Sequence, residues 1–234
     1  MINKTSLKAS DLKRLYGVFG CFYQIFLAGE LHSCRNILEL IAHEKMPKNL
    51  AHFRQLVPDL LVVMMNPGSS HPLDLVYQPP LIENISAIEP LCQWVPTQPD
   101  NTQYQVMRLM ANRGLTHARI LNLSDLREPK SPNLIQKVER LRLFSDGGGH
   151  SVFSPERRHE LAFWLGKSEA IPVLVGWGRH PGLRPLAENC LMQLVSHRVI
   201  GLPIENHHWA FAHPSPMLQK MKDRWLQEIL ARWP

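Results

Sequence analysis

The chain of 234 residues is poor in several features that would each define a class of protein. None of its four cysteines (Cys21, Cys34, Cys92, Cys190) belongs to a C-x-x-C pair, which argues against a structural zinc site or an iron–sulfur cluster. No metal and no cofactor is therefore expected, and the cysteines read as buried free thiols of a reducing compartment. No apolar run is long enough to span a bilayer. The nearest candidate, GVFGCFYQIFLAG (residues 17–29), carries Val18, Phe22, Ile25 and Phe26 at helical spacing and reads as a core helix. A secretory signal is also missing: Asp11 and the late start of the apolar run outweigh the small-residue stretch LAGE (residues 27–30), so the cytoplasm is the expected location. No G-x-G-x-x-G joins a strand to a helix, which excludes the dinucleotide fingerprint. There is no internal repeat and no low-complexity tract.

What is present describes a globular chain. Hydrophobic residues make up 44% and charged residues 20%, enough for one domain with a sizeable core and no membrane association, expected to be monomeric. The net charge of +6 favours a polyanionic partner, DNA or a nucleotide, without specifying it.

Four apolar runs of strand length alternate with helical patterns. The strands are DLLVVMMN (residues 59–66), HARILNLSDLR (117–127), IPVLVGWG (171–178) and HRVIGLPI (197–204). The helices are NTQYQVMRLMANRG (101–114), with Asp100 as N-cap and Gly114 as terminator, then SPERRHELAFWLGKS (154–168), GLRPLAENCLMQLV (182–195) and SPMLQKMKDRWLQEILARW (215–233). Continuous apolar strands between helices predict an α/β fold: three layers, α/β/α, around a mostly parallel four-stranded central sheet. Residues 1–55, including RNILELIAHE (35–44), read as a helical N-terminal extension of that single domain, whose core spans residues 59–220. The stretch from 71 to 100 reads as a long loop, a lid or binding segment. In such sheets ligands bind beyond the carboxyl ends of the strands. Asn66, Asn122, the GWGR segment and the loop HWAFAHPSPM (208–217) should therefore meet at one rim.

Taken singly, each of these segments has an ordinary reading. Asn-Pro-Gly is a turn, Asn122 closes a strand, Trp177 fills a core, and His213 is one of twelve histidines. In their order along the chain, MNPGSS (65–70), DNT (100–102), LNL (121–123), GWG (176–178) and AHPSPM (212–217) resemble the motifs of the uracil-DNA glycosylase superfamily. The likeness is closest to a bacterial branch of unknown function whose first motif is Asn-Pro-Gly/Ser. It covers residues 59–220 and implies the three-layer fold of that superfamily. It also implies hydrolysis of the N-glycosidic bond of a flipped uracil or related base. The alternative is an inactive nucleic-acid or nucleotide-binding protein of the same fold.

Carried residue by residue, the resemblance makes Asn66 the group that positions water and His213 the group that stabilises charge on the departing base. Asn122, Gly68 and Tyr77 would contact the base, Asn122 reading its edge as donor and acceptor. Ser69, Ser70, Ser215 and Arg179 would hold phosphate, and Met217 would occupy the position of a leucine wedge. The chain departs from the uracil-excising branch in one respect that matters. No aspartate follows Val63, which leaves Asp74 and Asp100 as substitutes for the missing carboxylate.

Overall fold

The structure is a computed structural model that describes residues 7–89, 92–166 and 170–233. Ser168, the expected end of the helix starting at Ser154, lies outside the described residues, as do residues 1–6 of the N-terminal extension. After a short helix, α1 (Ala9–Leu15), come two long strands, β1 (Tyr16–Leu27) and β2 (Glu30–Ala42). Then follow β3 (Leu60–Met64), β4 (His71–Pro72), β5 (Leu81–Ile82), β6 (Trp94–Gln98), α2 (Asn101–Arg113), β7 (His117–Asn122), α3 (Ser131–Leu141), α4 (Arg158–Leu165) and β8 (Val173–Gly176). The chain closes with α5 (Arg184–Gln193), β9 (Val199–Ile200), β10 (Pro203–Ile204), β11 (His207–Phe211) and α6 (Gln219–Arg232).

The protein is α/β, but its central sheet is larger and more mixed than the sequence predicts. Nine strands run in the order β4-β6-β1-β2-β7-β3-β8-β9, with β5 added beside β1. The expected parallel part is present: β3 pairs with β7 and β8, and β8 with β9, all parallel. The expected helical extension is replaced by the antiparallel hairpin β1–β2, which joins the sheet through β7. The reason lies in burial. β1 and β2 are covered on both faces over most of their length, so their side chains show no alternation of polar and apolar residues, and the 3.6-residue spacing of Val18, Phe22, Ile25 and Phe26 is incidental. The LAGE stretch is the hairpin turn: Leu27 pairs with Glu30, and Ala28 and Gly29 between them have φ of 52° and 76°, the two positive values that a tight two-residue hairpin needs.

Helices cover both faces. Leu61 and Val63 of β3 pack with Leu161 and Trp164 of α4 and Ala187 and Cys190 of α5. Leu60, Val62 and Met64 pack with Val106 and Met110 of α2 and Trp225 and Ile229 of α6. The Asp100 carboxylate caps α2 by accepting from the Thr102 and Gln103 amides at 2.8 and 3.2 Å, and Gly114 ends the helix at φ 68°. No helix among the described residues is long and apolar enough to cross a membrane.

Two of the four expected free thiols are not free. Cys21 and Cys92 form a disulfide, while Cys34 and Cys190 are buried thiols. Cys21 opposes Trp94 in the β1–β6 pairing, and this brings Cys92 alongside. A contact between residues 71 apart leaves no local trace in a sequence.

Charged groups are also buried in the sheet. Arg119 Nε donates to Glu39 at 2.8 Å, with His117 2.7 Å from the second Glu39 oxygen. Around Arg157, Nη1 donates to Asp125 at 2.6 Å and Nε and Nη2 each donate to Glu160 at 2.7 Å. Next to this cluster His150 is 1% exposed, and its Nδ1 has no partner among the described residues. Burial, then the charge of Arg157, pushes the His150 pKa down from 6.5 to about 4. Below pH 6.5 the unfolded chain therefore binds a proton that the folded chain refuses, so this group destabilises the fold as pH falls through that window. His150→Leu should consequently gain on the wild type by about 3 kcal/mol between pH 6.5 and pH 4. Chemical denaturation at a series of pH values measures it, and a difference that stays constant with pH would refute it.

Candidate functional site

At the carboxyl ends of β3 and β8, and beside the N-terminus of α2, the loops enclose a cleft of about 440 Å³. Its lining comes from four distant stretches: Met65–Ser69, Asp100–Thr102, Trp177–His180 and the 213–215 segment, with Pro129 and Ser131 at one side. A larger, mostly apolar groove of about 570 Å³ lies by Tyr16, Ala42 and Thr116, beyond the opposite end of β7. The smaller cleft is the candidate site because convergent polar groups are found there, at the end of the sheet where ligands bind.

Asn66 follows the last residue pair of β3. Its side-chain Nδ2 donates to the Leu126 carbonyl at 3.0 Å and to the Glu128 carbonyl at 2.8 Å. Both amide protons are thereby used, the amide is held in one orientation, and its Oδ1 is left as an acceptor without a partner among the described residues. The two carbonyls are themselves fixed. Leu126 bridges to Cys34, the Arg127 amide donates to Ser33 O at 3.0 Å, and the Glu128 side chain accepts from Lys137 at 2.8 Å. Gly68 adopts φ 62°, and a Cβ placed there would lie 3.3 Å from Asp100 Oδ2. Its missing side chain leaves room for that carboxylate.

Asp100 is the one carboxylate of the cleft lining among the described residues. Its Oδ1 is committed to the helix cap, and its Oδ2 has no donor among the described residues. His213 is partly exposed in the cleft, and its Nδ1 accepts the Ser215 amide at 3.1 Å. The neutral ring therefore carries its proton on Nε2 and offers it as a donor. Burial holds the His213 pKa below 6.5, with the Asp100 carboxylate and the bond from Ser215 opposing. The neutral form thus persists through neutral pH into mild acid.

The structure brings together Asn66, Gly68, Ser69, Arg179, His213 and Ser215 of the residues expected from sequence. The other four are elsewhere. Asn122 is wholly buried at the end of β7, not in the cleft lining, and neither its Oδ1 nor its Nδ2 has a partner among the described residues. Tyr77 keeps a buried, unpartnered hydroxyl outside the lining. Ser70 is turned inward, its Oγ 3.3 Å from the Gln98 carbonyl that accepts from it, so it serves the loop and not a phosphate. Met217 is 97% exposed and outside the lining. Asp74 is exposed and accepts from the Val76 amide at 3.0 Å, away from the cleft. Thr102, the last residue of the DNT motif, lines the cleft as well, and so do Ser131 and His180, which carried no signal in the sequence.

No protein-family model matches the chain, and neither does any curated protein or solved structure.

Proposed function

We propose that this protein is a DNA glycosylase with a fold like that of the uracil-DNA glycosylases, hydrolysing the N-glycosidic bond of a flipped uracil or related base. The observation that carries the reading is the fixed amide of Asn66. With both protons held by backbone carbonyls, its oxygen can only accept, which suits it to orient a water molecule in the cleft that also holds His213. The Nε2–H of a neutral His213 suits a carbonyl oxygen on which charge develops as the base departs, a role of the oxyanion-hole kind. Ser69, Ser215 and Arg179 at the cleft supply hydroxyl and cationic contacts for a phosphate backbone. DNA is the partner this reading requires, with a monomer acting in the cytoplasm. The Cys21–Cys92 disulfide is the feature that weighs against a fully reducing compartment.

The buried state of Asn122 favours the second reading, a binding protein without turnover, because the residue suited to reading a base edge does not reach the cleft. One experiment separates the two. The protein is incubated with single- and double-stranded oligonucleotides carrying uracil, a thymine mismatch or hypoxanthine, and alkali reveals abasic sites. Abasic product in any substrate supports the enzyme. Binding with no product supports the second reading, and absence of binding removes both.

A further inference from the structure

Two histidines line the cleft, and the chain holds them in the same way. Each opens a His-Pro turn, at residues 180–182 and 213–215. Each ring accepts the amide two residues further on at its Nδ1, from Gly182 at 3.2 Å and from Ser215 at 3.1 Å. An Nδ1 used as acceptor leaves the proton of the neutral ring on Nε2, so His180, like His213, presents an Nε2–H donor. His180 is exposed, and that donor has no partner among the described residues.

The two donors stand on different sides of the cleft. Gly178 and Phe211 form an antiparallel bridge, with the Gly178 amide donating to the Phe211 carbonyl at 2.8 Å. Beyond an antiparallel bridge the two chains run in opposite directions. After Phe211 the chain turns back over the end of β8, where a Cβ at Gly176 would meet Pro214 Cδ at 2.9 Å. After Gly178 it runs on into α5. His213 and His180 therefore flank Gly178, which lines the cleft between them. Their surroundings differ in charge. Arg179, the residue before His180, is the one lysine or arginine of the lining among the described residues. The one carboxylate of the lining, Asp100, acts on His213. A flipped nucleotide brings two kinds of acceptor to such a pair. Its base carbonyl is uncharged before the bond breaks, whereas its phosphate is an anion throughout and belongs on the cationic side.

We propose that His180 is a phosphate-binding residue: its Nε2–H, beside the Arg179 guanidinium, donates to a phosphate flanking the flipped nucleotide, and His213 across Gly178 is left to the base. This rests on the nucleic-acid partner of the proposed function and holds for the enzyme and for the binding protein alike.

The two ring nitrogens can be separated by substitution. Asparagine places an acceptor where Nδ1 stood and keeps the Gly182 bond, but does not reach the position of Nε2. Glutamine places an N–H donor near the position of Nε2 and gives up the Gly182 bond. Affinity is measured by fluorescence anisotropy on a single-stranded oligonucleotide with one central 2′-fluoro-2′-deoxyuridine, which resists base release, and thermal midpoints are measured in parallel. The same oligonucleotide is also made with an uncharged methylphosphonate on the 5′ or the 3′ side of that nucleotide. One of these two replacements should weaken wild-type binding about tenfold. His180→Asn should melt like the wild type, bind the normal oligonucleotide about tenfold more weakly, and lose nothing further on that replacement. His180→Gln should melt a few degrees lower and bind within about threefold of the wild type. A merely structural role predicts the reverse ranking, with affinity following the Gly182 bond. Wild-type affinity in His180→Asn, or equal losses from the replacement in both proteins, overturns the assignment. Should His180→Asn not fold, loss of binding in His180→Gln, or a wild type indifferent to both methylphosphonates, overturns it. Any of these results alongside abasic product from the natural substrate leaves the glycosylase reading standing. A wild type that binds no oligonucleotide ends both that reading and this inference.

Discussion

On the proposed glycosylase reading, Asn66→Ala is expected to slow base release by about 10² or more while leaving the protein folded and able to bind DNA. The amide is held by two carbonyls from one segment, Leu126 and Glu128, so that its oxygen is presented in a single direction. Alanine removes the oriented acceptor and exposes those carbonyls to water in the cleft, at a stability cost of about 1–2 kcal/mol. Asn66→Asp gives the sharper contrast. Its carboxylate would set two acceptor oxygens against two acceptor carbonyls, with no proton between them. It should therefore be less stable than Asn66→Ala, even though a carboxylate is the better base in principle. Single-turnover kinetics and thermal melting measure both effects. Wild-type rates for Asn66→Ala would remove the assigned role. An Asn66→Asp protein as stable as the alanine variant would show that the amide is not pinned as described.

The legible parts of this fold were those in which local chemistry and tertiary environment agree. The run LLVVM is buried on both faces, so it is apolar throughout, and β3 was predicted as a strand. Asp100 and Gly114 bound α2 through their own backbone and side-chain preferences, and both were recognisable as caps. The hairpin β1–β2 failed because its polar residues are inside. Arg35, Asn36 and Glu39 are 1%, 1% and 0% exposed, yet in sequence they look like the wet face of a helix. Glu39 is there because Arg119 and His117, eighty and seventy-eight residues away, come to meet it. Sequence order assembled the cleft from short motifs, and six of ten expected residues do line it. It could not distinguish Ser69, which faces the cleft, from Ser70, which turns in to the Gln98 carbonyl.

Two arginines are buried to the same depth with different surroundings: among the described residues Arg35 has no hydrogen-bond partner for its buried Nε and Nη1, whereas Arg157 is paired throughout. Arg157→Met should destabilise the protein by about 3–5 kcal/mol, lowering the thermal midpoint by roughly ten degrees. The Arg157 side chain is fully enclosed and all three of its nitrogens are used. Nε donates to Glu160, Nη1 to Asp125 and to the Gly149 carbonyl at 3.2 Å, and Nη2 to Glu160 and to Asn36 at 3.2 Å. Removing it leaves two carboxylates buried without a cation. Asp125 shows how little margin there is: burial raises its pKa to about 6 although Arg157 is beside it. Domains of this kind are stable by about 5–15 kcal/mol, so the loss is a large share of the total. The effect should also reach the cleft, because Asp125 directly precedes Leu126, whose carbonyl orients Asn66. Hydrophobic replacement of Asp125 and Glu160 together with Arg157 should recover most of the lost stability, since then no charge is left unpaired. The same substitution, arginine to methionine at equal burial, is thus predicted to be harmless to the fold at position 35 and severe at position 157. Comparable losses at both would mean that bulk and not pairing sets the penalty.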